Sequence, residues 1–157
     1  MMRLASANDM DRVNELRRIV NDLHVEGRPD IFKPGFGEEI RDWAANYLVW
    51  ENNDILVCKR DGVIAGMVMV DYIDRPENAY NLARRFYHIA EICVDPAYRR
   101  QGVGREMMDH MKADAKKRGF DRIELDMWEF NDALAFYEEM GFTTYRRYMH
   151  CVLEDDR

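Results

Sequence analysis

Apolar residues recur along the chain at two spacings, and the spacing changes from element to element. A short apolar run, Met2 to Ala5, reads as a strand, and Ser6 and Asn8 behind it are residue types that cap helices. Met10, Val13, Leu16, Ile19, Val20 and Leu23 then fall three or four apart, the stripe of a helix that buries one face. That helix is predicted to end near Gly27, because Pro29 cannot continue it. Residues 28–35, with Pro29 and Pro34, read as a loop. A second helix is predicted over about 37–51, with Ile40, Trp43, Ala44, Tyr47 and Leu48 on one side.

The spacing then shifts to strands. Asp54–Lys59 and Val63–Tyr72 flank Asp61-Gly62, a strong hairpin signal. Arg75 to Asn78 reads as a turn. Phe86–Val94 is a further strand, stopped by Asp95-Pro96. A helix over about 103–118 carries Val103, Met107, Met108, Met111 and Ala115 on one face and stops at Gly119. Arg122–Trp128 reads as a strand. A short helix capped by Asn131 or Asp132 runs to Met140, and Phe142–Leu153 is predicted to close the chain as a strand. Hairpins demand antiparallel neighbours, and the β-α-β unit from 86 to 128 demands a parallel pair with a right-handed crossover. The fold class is therefore α/β (α+β): a mixed, mostly antiparallel central sheet with one parallel unit and helices on both faces. No repeat or Pro/Gly/Ser linker interrupts the 157 residues, so a single domain over 1–157 is expected.

Charge narrows the function classes. The chain carries 23 Lys and Arg against 30 Asp and Glu, a net charge of −7. A nucleic-acid binder needs a basic footprint, so no nucleic-acid partner is expected. No apolar leader opens the sequence and no run approaches a membrane span, so a cytoplasmic protein without a membrane partner is expected. Cys58, Cys93 and Cys151 are odd in number and form no C-x-x-C, which reads as buried reduced thiols. The four histidines, 24, 88, 110 and 150, show no ligand spacing, and no metal is expected.

One stretch departs from the acidic average. Between 99 and 118 the net charge is +4, which leaves −11 on the remainder. Within it, Arg99-Arg100-Gln101-Gly102-Val103-Gly104-Arg105 joins a strand to a helix. A helix N-terminus offers unpaired N–H groups and partial positive charge, glycines let backbone approach a ligand, and the arginines add charge. The chemistry is that of an anion site. It matches neither the P-loop pattern nor the dinucleotide fingerprint, since position 107 is Met.

This stretch resembles the [RQ]-x-x-G-x-[GA] motif of the GCN5-related N-acetyltransferases, the GNAT family, and Ile92 to Pro96 is similar to that family's strand-and-proline lead-in. Asn131-Asp132-Ala133-Leu134-Ala135-Phe136-Tyr137, closing on Gly141-Phe142, is similar to its second signature, N-x-x-A-x-x-F-Y-x-x-x-G-F. The resemblance implies a GNAT-like acyl-CoA N-acyltransferase fold and acetyl-CoA as cosubstrate. It implies that backbone of Ile92, Cys93 and Val94 pairs with the pantetheine arm. Backbone from Arg100 through Gln101, Gly102, Val103 and Gly104 to Arg105 would hold the pyrophosphate, with Arg99 adding charge, and Asn131 would bond the pantetheine region. Tyr137 would act as general acid for the leaving thiolate.

Transfer to a primary amine needs a neutral nucleophile, so a base must take its proton. Three carboxylates are candidates: Glu91, set in an apolar strand; Asp126, five residues before Asn131; and Glu129. A backbone N–H at Val94 or Cys93 would meet the developing oxyanion. Direct transfer requires no nucleophilic cysteine. The resemblance places the acceptor between the first two helices and the central strands. His24, Glu26, Asp30 and Tyr72 are expected there, with Asp71, Asp74 and Glu77 as further acids and Trp50 and Trp128 as walls. The acidic remainder favours a small cationic amine over a protein amine. A non-catalytic acyl-CoA sensor is the reading from another class. Alternation of Met149, Cys151 and Leu153 points to a homodimer built through terminal strands.

Overall fold

The computed structural model describes residues 1–154. Five strands, β1 (Met2–Leu4), β2 (Asn53–Arg60), β3 (Val63–Arg75), β4 (Arg84–Val94) and β5 (Ile123–Leu125), form one sheet in chain order. Pairing is antiparallel from β1 to β4 and parallel between β4 and β5. The β2–β3 hairpin turns at Asp61 and Gly62, both with positive φ, as the Asp-Gly pair predicts.

Helices α1 (Met10–Gly27) and α2 (Glu38–Ala45) cover one face. Their core gathers Val13, Leu16, Ala44 and Tyr47 against Ile55, Val57, Met67, Met69 and Cys93. Helix α3 (Val103–Lys117) covers the other, with α4 (Leu134–Glu139) beside it. There Met107, Met108 and Met111 pack on Val68, Val70, Tyr87 and Ile89, together with Tyr137 and Met140. The methionines of α3 are thus core, fully buried. The mixed sheet with helices on both faces is the expected one.

One irregularity in β4 sets which of its side chains face each helix layer. Met69 pairs with Glu91 and Val70 with Ile89, so Ala90 is an extra residue without a partner on β3. The bulge flips the side-chain phase. Ile89 faces α3, while Glu91 and Cys93 face α1. On its other side β4 pairs with β5 only from Tyr87 to Ile89. From Ala90 to Val94 the two strands part, and this edge of β4 stands open.

Several boundaries differ from the sequence reading. The second helix stops at Ala45 and continues as one 3-10 turn over Asn46–Leu48. The strand expected over Arg122–Trp128 is only Ile123–Leu125. The closing strand expected over Phe142–Leu153 is absent among the described residues. Alternation of apolar side chains describes a strand only if a neighbour completes its ladder, and no described strand pairs with this segment. Beyond Phe142, which packs against the core, its side chains stand in solvent, Tyr148 at 99% and Leu153 at 88% exposure. Cys151 shares that exposure, against the expectation of a buried thiol, whereas Cys58 and Cys93 are buried. No helix of the described residues is long and apolar enough to cross a membrane.

Candidate active site

The strand-to-helix turn is braced from below. Asp95 accepts a hydrogen bond from the Ala97 N–H at 2.8 Å and pairs with Arg12 of α1, whose Nε also donates to the Ile64 carbonyl at 3.1 Å. These donors hold the Asp95 carboxyl below its ordinary range, the Ala97 N–H foremost. Gln101 folds back to donate to the Ala97 carbonyl at 2.9 Å, and Arg99 Nε donates to the Val94 carbonyl at 3.3 Å. Arg12 carried no signal beyond its place on a helix.

Above that brace the backbone takes an unusual path. Arg100 and Gly102 both have positive φ, +62° and +81°. The second position favours glycine, and Gly102 is also the N-cap of α3, with no side chain to cap it. The Glu106 N–H is the first to bond back, to the Gly102 carbonyl. The N–H groups of Val103, Gly104 and Arg105 therefore remain available to an anion at the positive end of a 15-residue helix. Gly104 serves packing: a Cβ there would stand 3.3 Å from the Phe136 ring of α4 and 3.8 Å from Val94. The turn, α4 and the end of β4 thus meet at one point.

The open edge of β4 lies beside this turn, and candidate catalytic groups lie on both faces of the sheet. Tyr137 belongs to the α3 face, buried among Phe136, Phe142 and the methionines. Burial raises its pKa, which keeps the phenol protonated. Among the described residues no side chain holds its hydroxyl, and that oxygen is not sealed from solvent. Glu91 belongs to the α1 face and pairs with Arg17, Nε to Oε2 at 3.2 Å. Burial raises the Glu91 pKa and the Arg17 charge opposes that rise. Cys93 lies two residues on, its thiol pushed up to about 11, chiefly by burial. At neutral pH it is not a thiolate, which disfavours it as a nucleophile.

The other candidate bases stand apart. Asp126 is exposed beyond the end of β5, its side chain at 88%, with Arg146 at 3.9 Å. Glu129 is exposed too. Asn131 accepts from the Ala133 N–H at 2.9 Å and so caps the turn before α4, leaving its amide nitrogen for another partner. Ile92 and Val94 turn their side chains toward the α3 core, so only their backbone borders the opening.

The acceptor candidates divide. His24 stacks on Phe32, Phe32 meets Trp128 edge-on, and Trp128 stacks on Phe130, with centroids 5.2, 5.3 and 6.2 Å apart. Arg28 lies over Trp128 at 5.6 Å. This cluster fastens the C-terminal end of α1 to the loop leaving β5. Burial lowers the His24 pKa, favouring a neutral ring. Glu26 is exposed at the same end, and Asp30 accepts twice from Arg28, at 2.8 and 2.7 Å. Asp71 is enclosed rather than open: Tyr47 and Asn53 donate to it and His88 lies 3.3 Å away. Trp50 joins Trp43 and Tyr47. Asp74 and Glu77 are exposed at the far end of the sheet, and Asp74 pairs with Arg85. Tyr72 is on the opposite face. It donates to Asp54 at 2.6 Å, stacks on Phe120 and carries Arg118 over its ring. The hairpin phase at Tyr72 sets its face, which strand alternation alone did not show.

Comparison with known proteins agrees with this fold. The model of the Acetyltransferase (GNAT) family matches residues 16–142. The chain belongs to the GNAT acetyltransferase family. It is similar to an L-ornithine N5-acetyltransferase of Arabidopsis thaliana, 31% identical over 61% of this chain and 41% of the relative. The chain thus spans under half the length of that curated relative. Among solved structures, the BH1408 protein of Bacillus halodurans superposes with a TM-score of 0.93 at 27% identity, covering 98% of this chain and 99% of that one. AAC(6')-Iy, solved with the bisubstrate analogue CoA-S-monomethyl-acetylneamine, superposes with a TM-score of 0.76 over 99% of this chain and 98% of that one. At 15% identity it attests the fold.

Proposed function

We propose that the chain is an acetyl-CoA-dependent N-acetyltransferase that acetylates a primary amine of a small cationic molecule by direct transfer. The observation that carries this reading is the open edge of β4 between Ala90 and Val94, with Tyr137 on one face of the sheet and Glu91 on the other. The residues present fit the cosubstrate: an uncapped helix N-terminus for its phosphates, an unpaired strand edge for its amide-bearing arm, and a protonated phenol. Acetyl-CoA supplies the acyl thioester. Backbone N–H groups of Val103, Gly104 and Arg105 bind its anionic end. The β4 backbone orients its arm. Glu91 accepts the proton of the incoming amine, and Tyr137 donates one to the departing sulfur. Of the three candidate bases only Glu91 lies on β4 itself in a partly buried position, the other two being exposed, so it takes the role.

The name of the ornithine-acting relative supports a small amine, as does the acidic character of the chain outside the 99–118 segment. The exposed apolar side chains of Tyr148, Met149, Val152 and Leu153 support a homodimer in which this segment is covered. The test is thiol release from acetyl-CoA across a panel of amines: ornithine, spermidine, an aminoglycoside and a peptide N-terminus. Release with the small cations and not with the peptide is expected. Release with the peptide alone moves the acceptor to protein amines. Tight acetyl-CoA binding with no release from any amine makes the protein a sensor.

A further inference from the structure

Arg17 is one of the few buried polar residues of the core, at 4% exposure. A guanidinium in that position must be paired, and every partner it has is informative. Nε donates to Glu91 Oε2 at 3.2 Å. Nη1 donates to Asn14 Oδ1 at 3.0 Å and to the Ile40 carbonyl of α2 at 2.7 Å. The rings of Phe36 and Trp43 lie 5.5 and 5.7 Å from its central carbon. One planar cation thus joins three backbone elements: α1, which bears it, the segment Phe36–Trp43, and the bulged part of β4.

We propose that Arg17 is a positioning residue for acetyl transfer: its guanidinium fixes the Glu91 carboxylate and, through the Ile40 carbonyl and the Phe36 and Trp43 rings, locks that carboxylate to the helix walling the acceptor side. The proposal rests on Glu91 as the base. Without the fork, Glu91 would be a carboxylate in an apolar setting with no countercharge, and it would take up a proton. The titratable groups facing Glu91 are few. Arg17 faces it from α1, Tyr47 from the turn after α2, and Cys93 from its own strand. Burial holds both Tyr47 and Cys93 neutral near pH 7, so Arg17 supplies the charge that governs Glu91. Lysine cannot reproduce the arrangement, because a point charge does not span a carboxylate, an amide oxygen and a carbonyl at once.

The test reads Glu91 directly. The full chain is labelled with side-chain carboxyl ¹³C glutamate, and the Glu91 signal is assigned as the one lost in Glu91→Gln. Its midpoint is followed by NMR titration in the wild type, Arg17→Gln and Arg17→Lys. Arg17→Gln is expected to raise the midpoint by about one unit, and Arg17→Lys, which keeps a charge and so folds more readily, by less. Turnover of the best amine in both variants is expected to fall about tenfold with the KM for acetyl-CoA unchanged. A merely structural arginine would lower the melting temperature and leave the turnover of the folded variant unchanged, whether or not the midpoint moves, and unchanged turnover therefore overturns the proposal as well. An unmoved midpoint in whichever variant folds overturns the proposal. If the midpoint moves but Glu91→Gln keeps full turnover, the base assignment fails and the Arg17–Glu91 coupling stands.

Discussion

Phe130 lies flat against the backbone of Gly27, leaving no room for a side chain between them: a Cβ at Gly27 would stand 2.4 Å from the Phe130 ring. This contact fastens the last turn of α1 to the loop beyond β5, at the end of the proposed acceptor side. Gly27→Ala gains about 0.5–1 kcal/mol of helix propensity but must displace a ring stacked on Trp128 and set edge-on to His24. Overpacking of that kind costs about 1–3 kcal/mol. The variant is expected to melt lower than the wild type and to lose kcat/KM for the amine while binding acetyl-CoA normally. A raised melting temperature would show that the contact is slack.

Gly102 has open space around it but a φ of +81°. A β-branched residue there is strained on the order of 1–2 kcal/mol, and it relaxes by turning the Val103, Gly104 and Arg105 N–H groups away from their common focus. Calorimetric titration with CoA should show Gly102→Val binding about tenfold more weakly. Equal affinity would remove these groups as the phosphate cradle.

Tyr137→Phe keeps the ring that fills the α3 core and removes only the hydroxyl. Stability and acetyl-CoA affinity should stay near wild type, while kcat falls about 10²-fold, the usual contribution of a positioned acid. An unchanged kcat at every pH would return Tyr137 to a packing role.

Glu91 gives the pH dependence its sign. Its folded pKa is raised above the ordinary 4.5, by burial against the opposing Arg17. A base must be ionised, so kcat/KM for the amine should climb with pH through that raised value. Stability runs the other way. The folded chain holds this proton more tightly than the unfolded one, so the contribution is complete below 4.5 and is lost as pH rises through the folded value. Glu91→Gln, neutral throughout, should abolish the acid limb of the rate profile and this slope in melting temperature together. A rate profile identical to wild type would dismiss Glu91 as the base.

Local signals carried much of this molecule. The Asp61-Gly62 turn, the stripe of α3 and the Gly102–Gly104 turn each encode their geometry within a few residues. What could not be read depends on partners distant in sequence. Nothing around Ala90 announces a bulge, because the register is set by β3. Glu91 stood out as a charge in an apolar run, yet its countercharge is 74 positions away. Arg17 itself looked like one more arginine on a helix. Tyr72, expected among the acceptor residues, packs on the α3 face, a side set by the hairpin register and not by its own neighbours. The segment after Phe142 had the alternation of a strand but no neighbour to pair with.

The most direct test of direct transfer is mass spectrometry of both the amine and the protein after incubation with acetyl-CoA. Direct transfer leaves one acetyl group on the amine, free CoA thiol in equal amount, and an unmodified protein with Cys93 as the thiol. Acetyl found on Cys93 and passed from there to the amine, or acetyl-CoA bound tightly and left intact with every amine, would contradict it.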